Sequence, residues 1–159
     1  MIAARLLSAL LLAAAGLLAA PASRAQQTYP VDDSGSQVIG NNVRMKWDSV
    51  VPRPGQVSTV TGHLTVLVRL DVSPWRGRQA RIYQTLPAQP GGPVTARWSS
   101  RGTLLAGQLR DGERALVYAG PILSDRLEDT FRLTIQADGD RLVRTEQLRF
   151  SFEIELESP

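Results

Sequence analysis

The sequence predicts an all-β fold: a single antiparallel immunoglobulin-like β-sandwich of about seven to eight strands, preceded by a cleaved signal peptide. Two features of the chain carry the fold class. From Val43 onward apolar residues recur with a period of two, as they do when successive side chains point to opposite faces of a strand. The alternating runs are short and are separated at near-regular spacing by Gly, Pro and Asp turns, and no stretch after the leader carries a convincing helical period.

The elements follow in order. Residues 1–25 read as the signal peptide: Arg5 supplies the charged start, Leu6 to Ala20 is almost unbroken leucine and alanine, and Ser23-Arg24-Ala25 offers small residues for cleavage. Pro21 ends the apolar run near fifteen residues, short of the roughly 20 that a spanning helix needs. Residues 26–42, "QQTYPVDDSGSQVIGNN", are polar and rich in turn formers, and are expected to be a flexible N-terminal segment or a loose first strand. The sandwich domain is expected over 43–159. Val43, Met45 and Trp47 alternate with Arg44 and Lys46 until "VPRPGQ" breaks the run.

The clearest strand comes next. Val60, Gly62, Leu64, Val66, Val68, Leu70 and Val72 share one face, and Thr61, His63, Thr65, Arg69 and Asp71 the other, with Gly62 expected to mark a bulge or bend. Further runs follow at 80–86, 94–98 and 115–119, with a shorter, ambiguous one at 103–109. "ILSDRLEDT" has room for one helical turn capped by Ser124. Phe131, Leu133, Ile135 and Ala137 then alternate with Arg132, Thr134 and Gln136. Asp138-Gly139 predicts a tight hairpin into a last strand carrying Leu148, Phe150, Phe152, Ile154 and Leu156. Arg144 and Glu146 fall on the core-side parity, so the tip of that hairpin is expected to overhang the sheet.

Composition narrows the function. With no cysteine the chain has no disulfide framework and no thiolate metal site, and the core alone must stabilise an exported domain. About 134 residues after cleavage suffice for one ordinary domain. The precursor carries +3, and loss of Arg5 and Arg24 from its eighteen basic residues, against fifteen acidic ones, leaves about +1. That balance does not suit nucleic acid. The basic residues are nearly all arginine, Lys46 being the one lysine, and an arginine bias spread along the chain points to a bacterial genome.

Chemistry-bearing constellations are sparse. His63 is the sole histidine and falls on the wet face of its strand, with no second imidazole or thiol to complete a metal set. The acidic groups Asp125, Glu128, Asp129 and Asp138, Asp140 lie on either side of a strand of about eight residues. That places them roughly 26 Å apart, too far for a glycosidase pair. "GTLLAG" (102–107) has the glycine spacing of a phosphate loop but is followed by Gln108-Leu109 in place of Lys-Ser/Thr. Glu153, Glu155 and Glu157 read as a solvated face paired with arginines such as Arg132, or as the guard of an edge strand. Trp75, Arg76, Arg78, Arg81 and Tyr83 form the one candidate ligand-binding cluster, since arginines beside aromatics suit anionic or sugar-bearing ligands. The competing account is a strand end in which Trp75 packs over the sandwich and the arginines solvate a turn.

The resulting expectation is a non-catalytic exported protein of the bacterial cell envelope, periplasmic or extracellular, with no cofactor, no metal and no transmembrane segment after cleavage. Its expected partners are other envelope or surface proteins, as for a fimbria-associated subunit, engaged by strand addition. A periplasmic ligand-binding module for anionic or sugar-bearing envelope components is the alternative. A small outer-membrane β-barrel is a second alternative, disfavoured by an aromatic content of only 6%.

Overall fold

A computed structural model describes residues 27–40, 43–49, 54–56, 58–141 and 148–157. The expected leader and the expected overhang at Arg144 and Glu146 lie outside the described residues. Ten strands are present among the described ones: β1 (Thr28–Val31), β2 (Gln37–Ile39), β3 (Lys46–Trp47), β4 (Thr59–Asp71), β5 (Gln79–Thr85), β6 (Val94–Ser100), β7 (Gly107–Arg110), β8 (Arg114–Pro121), β9 (Arg126–Asp138) and β10 (Ser151–Leu156).

They form two antiparallel sheets packed face to face. One runs β1-β10-β5-β8; the other runs β2-β4-β9-β6-β7, with β3 also pairing with β4. The two-sheet antiparallel sandwich is thus present, and the barrel alternative is overturned, because the strands divide between two sheets that do not close into one cylinder. No described helix is long and apolar enough to cross a membrane.

The core forms where the period-two faces meet. Leu70, Val72, Ile82, Val117, Ile122, Phe131 and Ile154 are completely or almost completely removed from water. Trp98 stacks on Phe131 with ring centroids 5.8 Å apart and donates its indole N–H to the Leu105 carbonyl at 3.0 Å. This satisfies the one polar atom that burial of the indole would otherwise strand.

Five expectations change. The segment expected to be flexible or a loose first strand supplies two strands, β1 and β2, one to each sheet. β1 pairs with β10 from Thr28↔Glu155 to Val31↔Phe152, and β2 pairs with β4 around Val38↔Val66, so each borrows its order from a longer strand. Gly62 marks no bulge, since the β4–β9 register runs unbroken from Thr59↔Asp138 to Asp71↔Arg126. Its missing side chain instead makes room for Val43 and Met45, whose Cγ1 and Sδ a Cβ would strike. Asp138-Gly139 does not close a hairpin: β9 and β10 belong to different sheets, and Gly139 lacks the positive φ that a primed turn demands. A Cβ at Gly139 would meet the Trp47 ring, so close packing accounts for this glycine. "ILSDRLEDT" holds no helical turn, because β9 begins at Arg126.

The fifth change concerns the last strand. β10 is flanked by β1 and β5 and is therefore no edge, and Arg132 lies in the opposite sheet. The glutamates pair within their own sheet. Glu155 is buried and accepts from Arg114 Nη1 at 2.5 Å, while Glu157 meets Arg81 at 3.1 Å. The direct ladder partner of Glu155 on β5 is Arg81, yet Arg114 reaches it from β8 across β5, so membership of one sheet face rather than direct register decides which arginine reaches which glutamate.

Candidate functional site

The Trp75–Tyr83 cluster divides between two surroundings. Asp71 accepts from the Ser73 hydroxyl at 2.6 Å and from the Ser73 N–H at 3.0 Å, which fixes the 3-10 turn Ser73–Trp75. These bonds, the hydroxyl first and then the amide, hold the Asp71 carboxyl below its ordinary pKa. Trp75 is half-buried against the core with its ring 6.3 Å from that of Tyr29. Arg76 pairs with Asp125 at 2.9 Å, and the Gly77 and Ile122 amides bind the Ile122 and Arg78 carbonyls. The tip is therefore laced to the β8–β9 connection.

Arg81 and Tyr83 sit instead on the outer face of the four-stranded sheet, opposite in parity to buried Ala80 and Ile82. The Arg114 guanidinium lies 4.3 Å from the Tyr83 ring centroid and reaches on to Glu155. Arg81 is occupied by Glu157. Trp75 and Arg76 thus belong to the strand-end arrangement, and Tyr83 to an ion-pair network on a sheet face.

His63 is exposed on β4, where its Nδ1 lies 3.1 Å from the hydroxyl of Thr134, its cross-strand neighbour. Arg97 and Arg132 share the hollow beside it, and among the described residues no carboxylate lines that hollow to orient the imidazole as a base. Among the described residues no three His, Asp or Glu side chains gather as a metal site.

One of the acidic residues near the start of β9 has a structural role. Asp129 is buried, and its carboxylate accepts from the Ser100 hydroxyl at 2.7 Å and from the amides of Arg101 (3.1 Å), Gly102 (2.8 Å) and Leu104 (2.8 Å). Burial pushes this carboxyl up, but the hydrogen bonds from Ser100, Leu104, Thr130 and Arg101 together outweigh it and hold the group below the ordinary carboxylate value. The arrangement is a loop staple: it pins residues 101–104 to β9.

A further feature lies between the sheets. A cavity of about 1020 Å³ is bounded by the inward faces of β4 (Leu64, Val66, Val68) and β9 (Phe131, Leu133, Ile135, Ala137), and by Leu148, Phe150 and Phe152 across from them. Unequal strand lengths explain its position. β4 and β9 each contain 13 residues, whereas β5 and β10 contain seven and six. At about 3.3 Å per residue the long pair extends roughly 43 Å against about 20–23 Å for the shorter one, so part of its apolar face has no strand opposite among the described residues. Leu64 and Val66 are accordingly only half-buried, although they share the parity of fully buried Val68 and Leu70. Val38, Val43 and Met45 complete the wall, together with the polar residues Asp33, Ser36 and Arg149. Burial, chiefly, raises the Asp33 carboxyl above its ordinary value.

One polar side chain stands inside this lining. Gln84 is 3% exposed, faces inward between Ile82 and Leu86, and its Oε1 has no hydrogen-bond partner among the described residues. Sequence reasoning missed the cavity because most residues in its wall read as core. The one local signal was glutamine at an inward position of an otherwise apolar strand face. No protein-family model matches the chain, and no curated protein matches it.

Proposed function

We propose that this chain is a non-catalytic binding protein of the cell envelope that receives an apolar molecule between its two sheets. The observation that carries the reading is the cavity of about 1020 Å³ with a mainly apolar wall. Small-molecule sites are typically concave spaces of about 300–1000 Å³ lined by hydrophobic and aromatic side chains with a few placed polar groups, and this cavity matches that description. The leader-like N-terminus supports export, where a soluble carrier would meet lipophilic envelope components.

Titration of the purified protein with a fluorescent apolar probe such as 1-N-phenylnaphthylamine tests this function. Saturable enhancement is expected, and Val66→Trp, which projects a large ring into the space from β4, should weaken it at least tenfold while the far-UV circular dichroism stays that of a β-protein. Equal probe binding by wild type and Val66→Trp would defeat the proposal.

A second reading, strand addition to an envelope or surface partner as in a fimbria-associated subunit, is favoured by one specific observation. β2 is the outer strand of its sheet and exposes Val38 and Ile39, each 55% accessible. Unpaired backbone groups beside apolar side chains suit an added strand. A photo-crosslinker at Gln37 should then trap a partner in cells, and Ile39→Lys should abolish the adduct.

A further inference from the structure

The interior of the cavity specifies more than apolarity. Phe131, Leu133, Ile135 and Ala137 occur at every second position of β9 and all line it, so it follows that strand for roughly 20 Å. A space drawn out along a strand suits an extended chain better than a compact ring system. Asp33, Ser36 and Arg149 contribute polar groups to the wall, which suit a charged or polar head.

Gln84 is the anomaly within this wall. Its Oε1 is a buried acceptor that no described residue satisfies, and leaving such a group unpaired is unfavourable. Its neighbours across the ladder, Phe152 on β10 and Ala115 on β8, offer no side-chain donor. An apolar chain alone would bury that oxygen without relieving it. With the Gln84 amide turned toward the space, a chain hydroxyl would relieve it, being a small donor that a mainly apolar lining accommodates.

We propose that the cavity binds an acyl-chain amphiphile bearing a hydroxyl on its chain, with that hydroxyl donating to Gln84 Oε1. The inference rests on the cavity being the ligand site.

The test compares myristate with its monohydroxylated positional isomers, measured by displacement of the apolar probe from wild type, Gln84→Leu and Gln84→Met. Because the head group is the same in every ligand, only the chain hydroxyl differs. In wild type at least one isomer is expected to bind about five- to tenfold tighter than myristate, the effect of one recovered hydrogen bond. Both variants remove the amide at nearly constant volume. They should erase that preference while keeping the affinity for plain myristate. No isomer preferred over myristate in wild type would overturn the inference and leave the apolar cavity standing, as would a preference that persists in both variants. Failure of wild type to bind the probe, myristate and every isomer would overturn the cavity reading as well.

Discussion

At the scale of single residues, Asp129 shows how little charge alone says about role. Asp125, Glu128 and Asp129 look alike in sequence, yet Glu128 pairs across the strand with Arg69 at 3.6 Å in the open, and Asp129 organises a loop from inside. Asp129→Ala strands several donors at once and should cost about 3 kcal/mol in chemical denaturation. Asp129→Asn, which keeps one acceptor oxygen, should cost less. The pH dependence has a definite sign. A carboxyl held below its ordinary value of 3.8 contributes stability that is present above that value and is lost as pH falls through its lower folded value. Asp33 runs the other way: its carboxyl is raised chiefly by burial, so its unfavourable charge appears as pH rises through the raised value. Asp33→Asn should therefore raise the unfolding midpoint at neutral pH and have little effect in acid, whereas Asp129→Asn should flatten the acid limb of the stability profile.

At the scale of elements, β4 is where sequence and structure agree best. Its inward face of Val60, Leu64, Val66, Val68 and Leu70 was legible because alternation needs only the strand's own residues. The role of Gly62 was not, since the atoms that exclude a side chain there belong to Val43 and Met45. Gly62→Ala should destabilise the protein by about 1–3 kcal/mol through overpacking, and a Met45→Ala change in the same chain should recover part of that loss. Comparison of urea midpoints for the two single variants and the double variant measures the coupling. β10 teaches a related lesson. Its glutamates suggested a guarded edge, but burial of Glu155 beneath Arg114 depends on β1 and β5 flanking the strand. The Trp75 ring lies beside that of Tyr29 at the strand end, while Tyr83, grouped with it by sequence distance, lies on a different surface.

For the whole molecule, the decisive quantity is the mismatch between the two sheets. A sandwich whose long strands overhang its short ones leaves apolar surface without a partner, and a ligand that covers this surface binds the folded state alone. Its presence should stabilise the protein by about 2.7 kcal/mol at one hundred times its dissociation constant, read as a rise in Tm that grows with ligand concentration. Val66→Trp should raise Tm without ligand by filling space and should blunt the ligand-dependent rise.

Period-two alternation, turn residues and the absence of cysteine determined by themselves that this chain makes a disulfide-free antiparallel sandwich, because each of those signals is local to a few consecutive residues. The tertiary structure decided the rest: which sheet β10 joins, which acids are buried, and that a cavity lies beneath the apolar face of β4. Those outcomes depend on what stands opposite a residue in space, and a wall side chain such as Leu64 or Leu133 has the same alternation whether it meets a neighbouring strand or an open volume.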